Sequence, residues 1–186
     1  MRLYAFVFLS ASPAFAGDGT CDELWFTRNA IFHEAGYCFG SPLGQAIFGN
    51  EACTTKSPDL TAAQTARLDR VKAAEEGCVV ELSRTSLDIP DLAIRRRLTV
   101  LPIRSESESG CIGWKGGPFS LRTGTSHSAE TLFTLEPDDV VLFSHESEQA
   151  GGEVWDYVQV YDNGVFRKAG WAVIDWGPEV CDGLAG

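Results

Sequence analysis

Six cysteines, Cys21, Cys38, Cys53, Cys78, Cys111 and Cys181, constrain this chain more than any other feature, because they act either as ligands or as cross-links and the compartment decides which. The N-terminus speaks to the compartment. Residues 1–16 read MRLYAFVFLSASPAFA, with one positive charge at Arg2, an apolar run from Leu3 to Leu9, and the small-x-small site Ala14-Phe15-Ala16. That is the pattern of a secretory signal peptide. No other stretch approaches the roughly 20 apolar residues that a membrane span needs, so the mature chain is expected to lack a transmembrane segment and to be periplasmic or secreted. All six cysteines lie beyond the cleavage site and none forms a CxxC pair, so three disulfides are expected rather than a metal or redox site. Six cysteines allow fifteen pairings, and their number alone does not choose among them.

The 186 residues carry 26 acidic and 15 basic side chains, a net charge of -11. A phosphate backbone needs a basic footprint, so nucleic acid is excluded as a partner class. At 44% hydrophobic residues the chain has enough apolar surface for a core.

Two halves show different periodicities. From Cys21 to Cys38, Leu24, Ile31, Ala35 and Cys38 share a helical stripe that Trp25 and Phe32 widen, and Gly40 with Ser41-Pro42 stops it. A short apolar turn, LGQAIFGN, follows. Thr61 and Gln64 then form a capping box for a second helix that carries Leu68, Val71 and Ala74 inward and ends at Gly77. Next, CVVELSR suits a strand, and IPDLAIRRRLTVL suits a helical turn opened by Pro90. The consecutive Arg95, Arg96 and Arg97 read as a solvated or internally paired face in so acidic a chain. The polar SESESG at 105–110 reads as a flexible linker. Beyond it lie short β-type runs at Phe119 to Arg122, Val140 to Ser144, Trp155 to Tyr161 and Gly170 to Ile174, with Asn163-Gly164 as a hairpin turn.

The β half resembles bacterial SH3-like domains. The matching pieces are Leu121-Arg122-Thr123-Gly124, Leu135-Glu136-Pro137-Asp138-Asp139-Val140, Trp155-Asp156-Tyr157-Val158, and Gly164 followed by Gly170-Trp171-Ala172. LRTG stands where the family usually has NVR, and Pro137 where it often has glycine. The helical half looks like a YARHG domain, an exported bacterial module: Arg28-Asn29 precedes the motif, Ile31-Phe32-His33-Glu34-Ala35-Gly36 occupies it, and Ala46-Ile47-Phe48 stands near the family's Tyr-Phe. Glu34 and Ala35 replace the motif's Arg and His, so an activity that depended on those two does not carry over. With SGCIGWKG before the β half, the chain also resembles an uncharacterised family of exported bacterial proteins. The expected fold is therefore α+β: a disulfide-bonded helical domain at 17–85, a connecting segment at 86–110, and a small SH3-like β-barrel at 111–183. Cys111 and Cys181 flank the barrel, so a bond between them would tie its ends together.

Candidate sites follow from spacing. His33 and Cys38 look like a nucleophile with its base, but five helical residues separate the side chains by about 140°. Glu34 shares a face with Cys38, and a carboxylate raises a thiol pKa, the wrong direction for a nucleophile. Cys38 is better paired with Cys53, and Cys21 with Cys78 if the helices run antiparallel. Arg28 falls inside the apolar stripe, where a charge needs a partner; Glu75 or Glu76 would pair with it, or it would recognise an anion in a cleft between helices. Trp114, Trp155, Trp171, Trp176 and Tyr157 concentrate aromatics in the β half, as core or as a groove for peptide or glycan. His127 and His145 read as loop residues without convergent carboxylates or serines, and no HExxH, GxSxG or phosphate loop occurs. The expectation is a non-enzymatic binding module with no cofactor and no metal, engaging cell-wall glycan or peptide or an envelope protein through Trp155, Tyr157, Trp171 and Arg28. The alternative is an interaction or inhibitor protein whose acidic surface meets a basic partner.

Overall fold

The computed structural model describes residues 18–186; the signal peptide expected at 1–16 lies outside the described residues. Helix α1 spans Asp18–Glu34. It stops earlier than the stripe suggests, because Gly36 at φ 79 turns the chain and the amides of Gly36 and Tyr37 close back on the carbonyls of His33 and Phe32. His33 and Cys38 therefore do not share a helix at all. His33 is exposed, and Cys38 is bonded to Cys53. Helix α2, Pro42–Phe48, uses the same Ser41-Pro42 that ends the preceding segment: Ser41 caps Gly44 and Pro42 occupies the first turn. Helix α3, Ala62–Ala74, carries the complete Thr61–Gln64 capping box. Cys21–Cys78 joins the start of α1 to the chain just past α3.

The stretch CVVELSR forms no strand. Val79 is 88% exposed, and the segment is pinned instead through single contacts, from Leu43 N–H to Leu82 O and from Arg84 to the carboxylate of Asp22. A single helical turn, α4 (Leu92–Arg95), follows.

Eight strands complete the chain: β1 (Arg104–Trp114), β2 (Phe119–Arg122), β3 (Thr131–Leu135), β4 (Val140–His145), β5 (Glu148–Ala150), β6 (Glu153–Asp162), β7 (Val165–Ala172) and β8 (Cys181–Ala185). The order is β3-β2-β7-β6-β4-β1-β8, with β5 added on β6. The path runs from one edge, β3, to the other, β8, so the sheet is open where a closed barrel was expected. The SESESG linker is also corrected: those residues form the first half of β1, whose exposed Ser and Glu side chains gave the sequence its linker-like polarity. The hairpin at Asn163-Gly164 has both turn residues at positive φ, 50 and 76, as a type I′ turn requires.

One face of the sheet closes over Cys111, Trp114, Leu121, Leu135, Val141, Val158 and Val160. The other receives α4 and the segment after it, with Ile94, Leu98 and Val100 on Trp155, Tyr157 and Trp171. The helices reach the sheet through Ile103, which packs with Leu24 and Val71. The α+β arrangement is thus continuous, and the segment expected as a connector contributes Ile89, Ile94 and Ile103 to the buried core.

Cys111–Cys181 bonds neighbouring strands β1 and β8 across a sequence separation of 70. Replacing both by serine is expected to lower unfolding free energy by about 4 kcal/mol on the chain-entropy model, read as a fall in the urea midpoint. An unchanged midpoint would contradict this role.

Candidate functional site

The charged centre of the molecule is Arg95, on the last residue of α4, whose side chain is 0% exposed. Its Nε donates to Asp91 Oδ1 at 2.6 Å, and its Nη2 donates to Glu23 Oε2 at 2.6 Å. Asp91 is held in turn on its other oxygen by Tyr157 O–H at 2.7 Å and Gln159 Nε2 at 3.1 Å. Glu23 Oε2 also lies 2.8 Å from His145 Nε2. A carboxylate accepts, so His145 donates from Nε2, and the 3.0 Å approach of Arg95 Nη2 to that nitrogen is a contact rather than a second hydrogen bond. α1, α4, β4 and β6 thus meet on one guanidinium.

Electrostatics follow from this geometry. Burial acts to raise the Glu23 carboxyl, but the Arg95 charge, the His145 hydrogen bond and the charges of His145 and Arg104 outweigh it and hold it down to about 2. Burial pushes His145 below the usual imidazole value, and the charges of Arg95 and Arg104 add to that push against the pull of Glu23. Burial and the Asp91 carboxylate push the Tyr157 phenol well above its ordinary value.

Ser144, His145 and Glu23 together give a nucleophile, base and acid in name. Ser144 Oγ, however, is 3.5 Å from His145 Nδ1, is taken by Arg104 Nη1 at 2.6 Å, and belongs to a buried residue. The cluster is a structural joint. It corrects the reading of His145 as a loop residue without carboxylates: it ends β4 and touches one. His127, on a loop, likewise has a carboxylate at 2.8 Å, that of Glu153.

The aromatic groove is corrected as well. Trp155, Tyr157 and Trp171 are 2%, 1% and 0% exposed. Their polar atoms are spent internally: Trp155 on Ala150 O, Trp171 on Val100 O and Tyr157 on Asp91. They fill the space beneath α4 and the segment after it, together with Leu132, Phe133 and Phe166.

Arg28 stands on a different face of α1. Five residues past Glu23, it points about 140° away from the joint, toward the end of α3. Its Nε lies 2.8 Å from Glu75 Oε2, yet Nε has no hydrogen-bond partner among the described residues, so the N–H is not aligned with the oxygen. Burial raises the Glu75 carboxyl against the opposing effects of Arg28 and Lys72. The Arg28 side chain is 31% exposed. It opens into a cleft of about 490 Å³ walled by Trp25, Tyr37, Phe39, Val80 and Leu82, with Asn29 and Ser41 as further polar groups. The joint was invisible in the sequence except for one signal, the Asp91–Arg95 spacing of four on a helical turn.

A family model described as Domain of unknown function (DUF4453) matches residues 77–186, and one described as YARHG domain matches residues 7–76. No curated protein and no solved structure matches the chain. No helix among the described residues is long and apolar enough to cross a membrane. Together with three disulfides, that is compatible with an extracytoplasmic protein.

The joint sets an acid dependence. Glu23 is depressed from 4.5 to about 2 on folding, so its contribution, roughly 3 kcal/mol, is present above pH 4.5 and lost as pH falls toward 2. His145 acts in the same direction, because the unfolded chain binds its proton first as pH drops below 6.5. Glu23→Gln is expected to lose stability at pH 7 and to flatten the acid limb of the stability curve, measured by urea unfolding from pH 7 to 3. A variant with the wild-type limb would contradict the assignment.

Proposed function

The chain belongs to the family described as Domain of unknown function (DUF4453), preceded by a YARHG domain, and we propose that it is an exported, non-catalytic binding module for the peptide portion of the cell wall. The observation that carries this reading is the Arg28 cleft. Its volume of about 490 Å³ falls in the range of ligand pockets. Trp25, Tyr37, Phe39, Val80 and Leu82 share its wall with the polar Asn29, Ser41 and Glu75 and with one partly exposed cation, Arg28. A wall peptide offers the complement, with carboxylates, amides and small apolar side chains in a short span.

Export is supported by the sequence of residues 1–16 and by three disulfides that tie down both halves. The resemblance of residues 121–172 to bacterial SH3-like domains, which implies peptidoglycan or peptide binding, supports the choice of ligand; the sheet would then act as scaffold, since its tryptophans are core. A second reading, an interaction or inhibitor protein for a basic envelope protein, rests on the net charge of -11.

The test is retention of the mature protein, residues 17–186, on purified sacculi. The wall reading expects saturable co-sedimentation that soluble wall peptides compete away. Sedimentation no greater than that of an unrelated acidic protein of the same size would overturn it.

A further inference from the structure

We infer that Arg28 and Glu75 form a carboxylate-exchange site, in which the free terminal carboxylate of a wall peptide takes the place of Glu75 on the Arg28 guanidinium. The inference rests on the binding-module reading above and names what that cleft recognises. An arginine is best satisfied by a bidentate carboxylate whose two oxygens align with two N–H bonds. Glu75 does not supply that: it meets Nε at 2.8 Å without alignment, leaving a buried N–H without a hydrogen-bond partner. Arg28 forms no other ion pair among the described residues. A ligand carboxylate that reached the guanidinium from the cleft would satisfy the donors that the internal pair leaves open.

The surroundings suit the rest of a peptide end. Asn29 spends its Nδ2 on Trp25 O, so its carbonyl oxygen stays free to accept a ligand N–H. Ser41 Oγ accepts from Gly44 N–H, so its own hydroxyl hydrogen stays free to donate to a ligand carbonyl. Trp25 and Phe39 offer an apolar floor for a small terminal side chain.

The exchange has a direction with pH. The charged and titratable groups around Glu75 are Arg28 on α1, Lys72 on its own helix, and Tyr37 across the cleft. Desolvation keeps the Glu75 carboxyl easier to protonate than a free glutamate. As pH falls, Glu75 is neutralised before a ligand α-carboxylate is, since the latter titrates near 3.5, and the competitor leaves Arg28. Affinity therefore rises on mild acidification and falls only when the ligand itself protonates.

The experiment is calorimetric titration of the mature protein with acetyl-Lys-D-Ala-D-Ala and with its C-terminal amide, from pH 7.5 to 4.5. The exchange site expects the acid to bind about tenfold or more tightly than the amide, as for loss of one charge-assisted pair. Affinity for the acid should rise as pH falls. Glu75→Gln, close in shape to the protonated residue, should tighten binding at pH 7.5 and remove most of the pH dependence. Arg28→Lys, which keeps the charge and loses the fork, should weaken binding about tenfold. Equal binding of acid and amide, or weaker binding in Glu75→Gln, would overturn the exchange site. Sacculus retention with no preference for the acid overturns this inference alone. Acid-selective binding without sacculus retention upholds it and overturns the wall reading.

Discussion

A single buried cation organises this molecule. Arg95 carries no exposed surface, and a guanidinium in that position is tolerated only if its donors meet carboxylates in good geometry. Two do, one from the same helical turn and one from far away in the chain: Asp91, four residues before Arg95, and Glu23 on the first helix, 72 residues away. Asp91 is itself fixed by Tyr157 and Gln159 of β6. Such a cluster adds little net stability over an apolar core of the same shape, but removing one member strands a charge, at a cost of about 3–5 kcal/mol. The cluster ties α1 to α4 and to the sheet. Around it lie lesser ties: Thr27 Oγ1 donates to Pro102 O, Arg67 bonds Leu101 O and Glu148, and Arg70 meets Glu146 and Glu148.

Once α1 is fixed on that side, its opposite face becomes a stable wall. The cleft beside Arg28 has two lips, the loop at 37–41 and the loop at 78–82. Each is anchored by a disulfide, Cys38–Cys53 for the first and Cys21–Cys78 for the second. The first lip is further held by Asn50, which bonds both the N–H and the carbonyl of Phe39. A cleft built on cross-linked loops over a locked helix loses little freedom on binding, which favours recognition of a small ligand. The disulfides thus hold the cleft as well as the fold.

Legibility in the sequence followed the range of each interaction. Local chemistry was plain for Thr61 with Gln64 and for Asn163 with Gly164, which act within a few residues; Ser41-Pro42 was legible only as a stop for the first helix, although it also opens α2. Cys21–Cys78 and Arg28 with Glu75 were readable from two antiparallel helices, Cys38–Cys53 from the short apolar segment between them, and Cys111–Cys181 from their place at the two ends of the β half. The joint was not readable. Glu23 and His145 are 122 residues apart, and nothing in either neighbourhood marks it as buried. The run Arg95-Arg96-Arg97 fitted a solvated or an internally paired face, and both occur: Arg95 is buried and paired, while Arg96, which bonds Ile47 O, and Arg97, which pairs with Glu130, are exposed, so nothing in the run singled out its first member. The aromatic residues of β6 and β7 misled for the opposite reason: their packing partner, the segment after α4, looked like a connector. The polar first half of β1 looked like a linker because a strand edge rich in Ser and Glu has the composition of a loop.

If the Arg95 joint unites helices and sheet as described, the two family segments unfold together. Scanning calorimetry of the mature, oxidised protein at pH 7 tests this most directly. A single transition whose calorimetric and van't Hoff enthalpies agree is the expected result. Two resolved transitions, one for the helical segment and one for the sheet, would contradict it.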